Sequence, residues 1–181
     1  DCASAINAWA ASPQLQSTEA RKQSRSVFFF SGHGIESVPQ NQILLPSDYL
    51  CGPMVNHDHA ISTLNIRLGM KAVPISHRYY FVDACRNDAD KIRQQGPKGM
   101  GILPEHPASR TYPHIEIDAT LNATTTTLQA FQPKDPKKGP TIFGQALIEG
   151  LKGTPNITIS NDPGVDTIHF SNLFPYVSHR V

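Results

Sequence analysis

Short apolar runs alternate with amphipathic stretches along this chain, and each run stops at residues that favour turns. Residues 26–30 are apolar and aromatic and stop at Ser31 and Gly32, which predicts a buried strand with a sharp end. Two other apolar runs end at Leu45, just before Pro46, and at Ala84. In all, the pattern predicts strands over 26–31, 43–46, 78–84, 123–130 and 157–160.

Four segments have helix-forming composition or helical spacing of apolar residues: 2–11, 57–71, 141–151 and 171–177, the last capped by Ser171. In the second segment, Ile61, Leu64 and Leu68 are expected to pack against the sheet. In the third, Phe143 and Leu147 are expected to be buried. Strands that alternate with amphipathic helices predict an α/β class, with an α/β/α sandwich around a mostly parallel sheet and no second domain.

The composition excludes some partners without naming a function. The chain has 181 residues, of which 39% are hydrophobic and 17% charged, as in an ordinary globular domain. Its 16 basic and 15 acidic residues give a net charge of +1, so nothing favours nucleic acid or a membrane as a partner. The longest tight apolar run, 27–30, is far shorter than the ~20 residues of a membrane-spanning helix.

Cysteine usage favours a reducing compartment. The three cysteines, Cys2, Cys51 and Cys85, are too few for a disulfide framework and form no CxxC pair. Residues 1–11 contain no basic segment of a signal peptide. We therefore expect a cytoplasmic protein. Because the chain starts inside a predicted helix, we also expect residues 1–181 to be one domain of a longer protein that carries other domains.

Reactive residue types follow two of the predicted strands. Ser-Gly-His-Gly at 31–34 follows the first strand, and Asp-Ala-Cys-Arg at 83–86 ends the third. Functional groups of α/β sheets collect beyond the carboxyl ends of the strands, so neighbouring strands would bring His33 and Cys85 to one crevice. A thiol beside an imidazole can lose its proton and become a nucleophilic thiolate. On residue types alone, a buried structural cysteine and a turn-capping histidine remain open alternatives.

Two other polar groups have metal-ligand residue types without a metal-ligand pattern. His-Asp-His at 57–59 together with Cys51 matches no common zinc spacing and is interpreted as a solvated helix start. Asp88 and Asp90 are too few for a calcium site, so calcium activation has no support. We expect no metal and no cofactor.

The order of five motifs along the chain is the strongest indication of function. They are Ser-Gly-His-Gly at 31–34, Ile-Leu-Leu-Pro-Ser-Asp at 43–48, Asp-Ala-Cys-Arg at 83–86, the helix start at 139–147 and Phe-Pro-Tyr-Val-Ser-His-Arg-Val at 174–181. This order resembles the caspase-like cysteine peptidases of clan CD, and their bacterial, metacaspase-like branch in particular. The first strand of that family is missing here, and Arg25-Ser26 replaces its usual Gly-Asp before the histidine strand.

The resemblance implies a role for each matching residue. His33 would act as general base and acid, and Cys85 as nucleophile. The backbone N–H groups of Gly34 and Cys85 would form the oxyanion hole. Ser31 and Asp83 would line the S1 pocket, where the carboxylate would bind an Arg or Lys of a protein or peptide substrate. The resemblance thus implies a cysteine endopeptidase that cleaves after basic residues.

Two alternative functions stay compatible with the sequence. A caspase-fold scaffold or interaction module would not need the dyad, although degenerate members usually lack the His or the Cys and both are present here. A thiol amidase on an α/β sheet would use the same two groups on a smaller substrate.

Overall fold

The computed structural model of the chain describes a central sheet with helices on both faces and a separate hairpin. The described residues are 2–10, 24–38, 41–47, 49, 59–71, 73, 75–86, 117–124, 139–153, 158–162 and 165–181. Within them lie the strands β1 (Arg25–Val38), β2 (Asn41–Leu45), β3 (Ile61–Ser62), β4 (His77–Ala84), β5 (Ile117–Asn122), β6 (Thr158–Asp162) and β7 (Val165–Ile168). The α-helices are α1 (Cys2–Ala10), α2 (Thr63–Met70), α3 (Ile142–Leu151) and α4 (Phe170–Ser178).

The central sheet has five strands in the order β3-β2-β1-β4-β5, and β6 and β7 form an antiparallel hairpin. β4 runs parallel to both of its neighbours, β1 and β5. β2 runs antiparallel to both β1 and β3. Its direction relative to β1 follows from their connection, because only residues 39 and 40 separate the two strands and so short a connection cannot join parallel strands. The sheet is therefore mixed, and its parallel half contains β1, which carries His33, and β4, which leads to Cys85.

Successive side chains of β4 pack on opposite faces of the sheet. Tyr80 and Val82 belong to a buried cluster with residues of α2, and α1 packs against it; we call this side the α2 face. Phe81 belongs to a second cluster with Phe143 and Leu147 of α3 and with residues of α4; we call this side the α3 face. Helices on both faces confirm the predicted α/β class, and the predicted burial of Phe143 and Leu147 is also confirmed.

The helix predicted over 57–71 is shorter than expected, and its buried face is different. Ile61 lies in β3, and the helix begins two residues later. The buried residues of α2 are Ile66, Gly69 and Met70. Leu64 and Leu68 are exposed. The prediction was wrong for these two leucines because it counted helical spacing from Ile61, which is a strand residue.

The fifth strand of the sheet lies upstream of the strand predicted over 123–130. β5 ends at Asn122, and residues 123 and 124 form a bend. The sequence Ile-Asp-Ala-Thr-Leu-Asn at 117–122 alternates apolar and polar residues, which is the pattern of a strand with two different faces. The prediction followed the Thr-rich composition instead of this alternation. Residues 125–130 lie outside the described residues.

Hydroxyl side chains cap two of the helices. Ser62 before α2 and Thr141 before α3 each accept a hydrogen bond from the backbone N–H three residues later, at 3.1 and 2.9 Å. The predicted cap Ser171 lies inside α4, whose N-cap is His169 without a side-chain cap bond. That prediction was wrong because Phe170, which packs against the cluster on the α3 face, already belongs to the helix. None of the described helices is long and apolar enough to cross a membrane.

Candidate active site

The parallel pairing of β1 with β4 aligns the end of β4 with the middle of β1, which continues to Val38. Ser31 lies opposite Asp83 in this pairing, and Gly32 lies opposite Ala84. The Ser31 hydroxyl donates a 3.2 Å hydrogen bond to Asp83 Oδ2, so both side chains lie on the same face of the sheet. Because Phe81, two residues before Asp83, packs on the α3 face, that face carries the pair.

His33 and Cys85 each follow a member of that hydrogen-bonded pair by two residues. Side chains two residues apart in an extended chain point to the same face, so the register favours the α3 face for both the imidazole and the thiol. His33 is exposed, and Cys85 is a partly exposed free thiol. A thiol that solvent can reach is a poor candidate for a purely structural cysteine.

Asp83 is a buried carboxyl group held by two hydroxyl groups. It is 1% exposed, and its Oδ2 accepts hydrogen bonds from Ser31 and from Thr141, the N-cap of α3. Burial raises the pKa of Asp83, and the hydrogen bonds from Thr141 and then Ser31 lower it in part. The other carboxylate oxygen, Oδ1, has no hydrogen-bond partner among the described residues. Oδ1 is therefore the oxygen atom of Asp83 that is available to accept a further hydrogen bond.

Gly34 lies where β1 approaches the backbone around Cys85. A Cβ atom at Gly34 would lie 3.0 Å from the Cβ of Ala84 and 3.0 Å from the carbonyl oxygen of Cys85. Both distances are shorter than the ~3.5–4.0 Å of an ordinary contact between non-bonded atoms. The absence of a side chain at this position is what allows β1 to lie so close to the Cys85 peptide.

Gln42 of β2 holds the peptide groups on both sides of the Cys85 Cα. Its Nε2 donates hydrogen bonds to the carbonyl oxygens of Ala84, at 3.1 Å, and of Cys85, at 3.0 Å. The side chain is 4% exposed, so water competes little for these bonds. A residue from a neighbouring strand thus fixes the orientation of the Cys85 backbone.

Arg86 anchors the chain directly after Cys85. Its Nη2 forms an ion pair with Glu36 Oε1, and its Nη1 donates a 3.5 Å hydrogen bond to the carbonyl oxygen of Thr124. Glu36 belongs to β1, so this pair ties the segment after Cys85 back to the strand that carries His33. The backbone on both sides of Cys85 is therefore fixed from the α2 face.

Comparison with known proteins identifies the family of this chain. Residues 10–180 match the family described as the caspase domain. The chain belongs to the caspase domain family. This confirms the family and fold that the motif order predicted, and the family is one of cysteine peptidases. A curated relative from a Desulfuromonadales bacterium, named a probable protease, is 26% identical over 165 residues. The alignment covers 87% of this chain and 19% of that relative, so the chain spans a small part of the relative's length.

Three residues around the site of this caspase domain were missed by sequence reasoning: Gln42, Glu36 and Thr141. Gln42 had a weak signal, since it is an amide directly before the apolar run of residues 43–45. Thr141 had one too, because it follows Pro140 and precedes an apolar helix, as an N-cap residue does. Glu36 had none, because only the fold brings it to Arg86.

Most of the residues that have metal-ligand side chains but were not expected to bind a metal fall outside the described residues of this caspase domain. They are Cys51, residues 57 and 58, Asp88 and Asp90. Within the part of the chain that the structure describes, no group of three or more His, Cys, Asp or Glu side chains could hold a metal ion.

Proposed function

We propose that this caspase domain is a cysteine endopeptidase with His33 and Cys85 as its catalytic dyad. The observation that carries the proposal is the register of β1 and β4, which favours both side chains on one face of the sheet, directly beyond the last pair Gly32–Ala84. The free, partly exposed thiol of Cys85 supports it, because a nucleophile must be reached by its substrate.

The proposed reaction uses the ordinary chemistry of the two groups. His33 accepts the proton of the Cys85 thiol, and the thiolate attacks the carbonyl carbon of the scissile peptide bond. The backbone N–H groups of Gly34 and Cys85 bind the oxyanion of the tetrahedral intermediate. His33 gives the proton to the leaving amine, and water then hydrolyses the acyl-enzyme. Gln42 would contribute by fixing the orientation of the Cys85 peptide groups.

In this proposal Ser31 and Asp83 form the floor of the S1 pocket. Asp83 Oδ1 lacks a partner among the described residues, and the carboxyl group is buried, so ionising it is costly while it stays unpaired. An Arg or Lys side chain at P1 would supply charge-assisted hydrogen bonds to that oxygen. We therefore expect cleavage after Arg or Lys rather than after Asp.

Fluorogenic peptides that differ only at P1 test the proposal. We expect the wild-type chain to prefer Arg or Lys over a neutral P1 residue by about a hundredfold in kcat/KM, because a buried carboxylate would otherwise be left unpaired. Asp83→Asn should lose most of this preference and keep slow cleavage at neutral residues. Asp118→Asn is the matched control, because Asp118 lies on the α2 face with its carboxylate 3.5 Å from Arg67 Nε.

Each result has a defined meaning. A wild-type preference for Asp at P1, or an Arg preference that survives Asp83→Asn, contradicts the proposed pocket. Cleavage of small amides without cleavage of any peptide identifies a thiol amidase. A folded wild-type chain without turnover of either substrate favours the scaffold alternative.

A further inference from the structure

A cavity of about 230 Å³ lies on the α2 face of the sheet, opposite the face of the proposed peptide site. Strands β1, β2, β4 and β5 contribute to its lining, and α2 closes it from the other side. Phe28, Ile66 and Val82 give it an apolar wall. Asp83 and the proposed dyad are not part of its lining, so the cavity is separate from the substrate pocket proposed above.

Three buried polar atoms of the lining have no hydrogen-bond partner among the described residues: Gln42 Oε1, the Tyr80 hydroxyl and Thr120 Oγ1. Gln42 and Tyr80 are only 4% and 3% exposed. Native proteins rarely leave such groups unpaired, so three around one cavity point to an occupant. Burial raises the pKa of Tyr80, which keeps its hydroxyl protonated and able to donate. Water alone would satisfy the polar atoms but would also wet the apolar wall.

The charged side chains around the cavity leave one positive charge in excess. Arg67 lines the cavity and pairs with Asp118, and Arg86 lines it and pairs with Glu36. Arg78 does not line the cavity but is buried beside Asp118; its Nη2 donates to the carbonyl oxygen of Val73, and its Nε and Nη1 have no partner among the described residues. Three guanidinium groups against two carboxylates leave a net charge of +1, which a single carboxylate on a ligand would balance.

We propose that this cavity binds a small organic acid that has one carboxylate, an apolar body and one hydroxyl group. The carboxylate accepts hydrogen bonds from Arg86 Nε and the Tyr80 hydroxyl and lies beside the positive charge of Arg67, and the ligand hydroxyl donates to Gln42 Oε1. Arg86 Nε is buried without a hydrogen-bond partner among the described residues, whereas Arg67 Nε lies 3.5 Å from Asp118 Oδ1. A cavity of about 150 Å³ holds benzene, so one of about 230 Å³ holds roughly ten non-hydrogen atoms.

A ligand bound in the cavity affects the position of Cys85 through two of the lining residues. Gln42 lines the cavity and holds the Cys85 carbonyl group, and Arg86 lines it and directly follows Cys85. A ligand there shifts the position of the thiol, so it changes kcat more than KM. This consequence rests on the proposed peptidase function, whereas the binding itself does not.

Calorimetric titration of the Cys85→Ala chain with 4-hydroxybenzoate tests binding without any catalytic step. The uncharged probe of the same shape is 4-hydroxybenzamide. We expect one saturable site per chain and about tenfold tighter binding of the acid than of the amide, the size of a charge-assisted hydrogen bond. Arg67→Gln should weaken binding of the acid about tenfold. Lys71→Gln, at the exposed C-cap of the same helix, should leave it unchanged.

Circular dichroism shows whether Arg67→Gln folds, and a second variant tests the proposal if it does not. Tyr80→Phe removes only a hydroxyl without a described partner, and we expect it to weaken binding of the acid about fivefold. The proposal is overturned by no saturable binding of 4-hydroxybenzoate, by equal affinity for acid and amide, or by equal losses in Arg67→Gln and Lys71→Gln. If the acid binds as expected but leaves the kcat of the active chain unchanged, the coupling to Cys85 is wrong and the binding site stands.

Discussion

Substitution of Gly34 by alanine tests whether the close approach of β1 to the Cys85 peptide is needed. The added Cβ would lie 3.0 Å from both Ala84 Cβ and the Cys85 carbonyl oxygen, and 3.1 Å from Gln42 Nε2. Restoring normal contacts needs a displacement of about 0.5 Å, and such overpacking costs about 1–3 kcal/mol. The lower entropy of an unfolded chain with alanine offsets at most about 1 kcal/mol. We expect a net loss of about 1–2 kcal/mol in the free energy of unfolding.

Activity should suffer more than stability in Gly34→Ala. A displacement of about 1 Å at a reacting group can cost about a hundredfold in rate, so half of that should lower kcat roughly tenfold. Urea unfolding and peptide hydrolysis measure the two effects. Gly32→Ala is the matched control, because its Cβ would meet only the ring of Phe30, at 3.1 Å, and a partly buried ring can turn aside. Wild-type turnover in Gly34→Ala, or equal losses in both variants, would refute the reasoning.

Two further predictions concern the carboxyl group of Asp83. Thr141→Val removes the α3 cap and the hydrogen bond to Asp83, so the free energy of unfolding measured in urea should fall by about 2 kcal/mol. Thr141→Ser keeps the hydroxyl group and should be about as stable as wild type. Equal stability of the two variants would exclude this role of Thr141. Because burial raises the pKa of Asp83, the folded chain binds that proton more tightly than the unfolded chain does. The free energy of unfolding should therefore fall as pH rises from the ordinary carboxyl range through the raised pKa, and Asp83→Asn should lack this fall. A pH dependence shared by wild type and Asp83→Asn would contradict the shift.

The start of β1 and the end of β4 were predictable because their signals are local: β1 starts with the apolar run of residues 26–30, and β4 ends with its apolar run at Ala84. The predicted stop of the first strand at Ser31 and Gly32 was wrong, because β1 continues to Val38, where it pairs with β2. The signal of α3 is also local, and its apolar spacing predicted the burial of Phe143 and Leu147. The order of the motifs along the chain also predicted the family, which the match over residues 10–180 confirms.

The contacts that hold the site depend on the fold and carry little local signal. Gln42 reaches the Cys85 carbonyl across 43 positions of sequence, and Arg86 reaches Glu36 across 50. No local sequence pattern predicts contacts between residues so far apart in the chain, because each partner taken alone resembles an ordinary polar residue. The antiparallel direction of β2 was missed because the prediction did not consider how short its connection to β1 is.

Active-site labelling tests the central claim most directly. A peptidyl acyloxymethyl ketone with Arg at P1 forms a thioether with a catalytic thiolate, and peptide mass spectrometry locates it. The account predicts a single adduct on Cys85, undiminished in Cys51→Ala. In His33→Ala labelling should be slower by at least about a hundredfold, because the thiol then lacks its general base. Labelling on Cys2 or Cys51 instead of Cys85, or a rate unchanged in His33→Ala, would contradict the account.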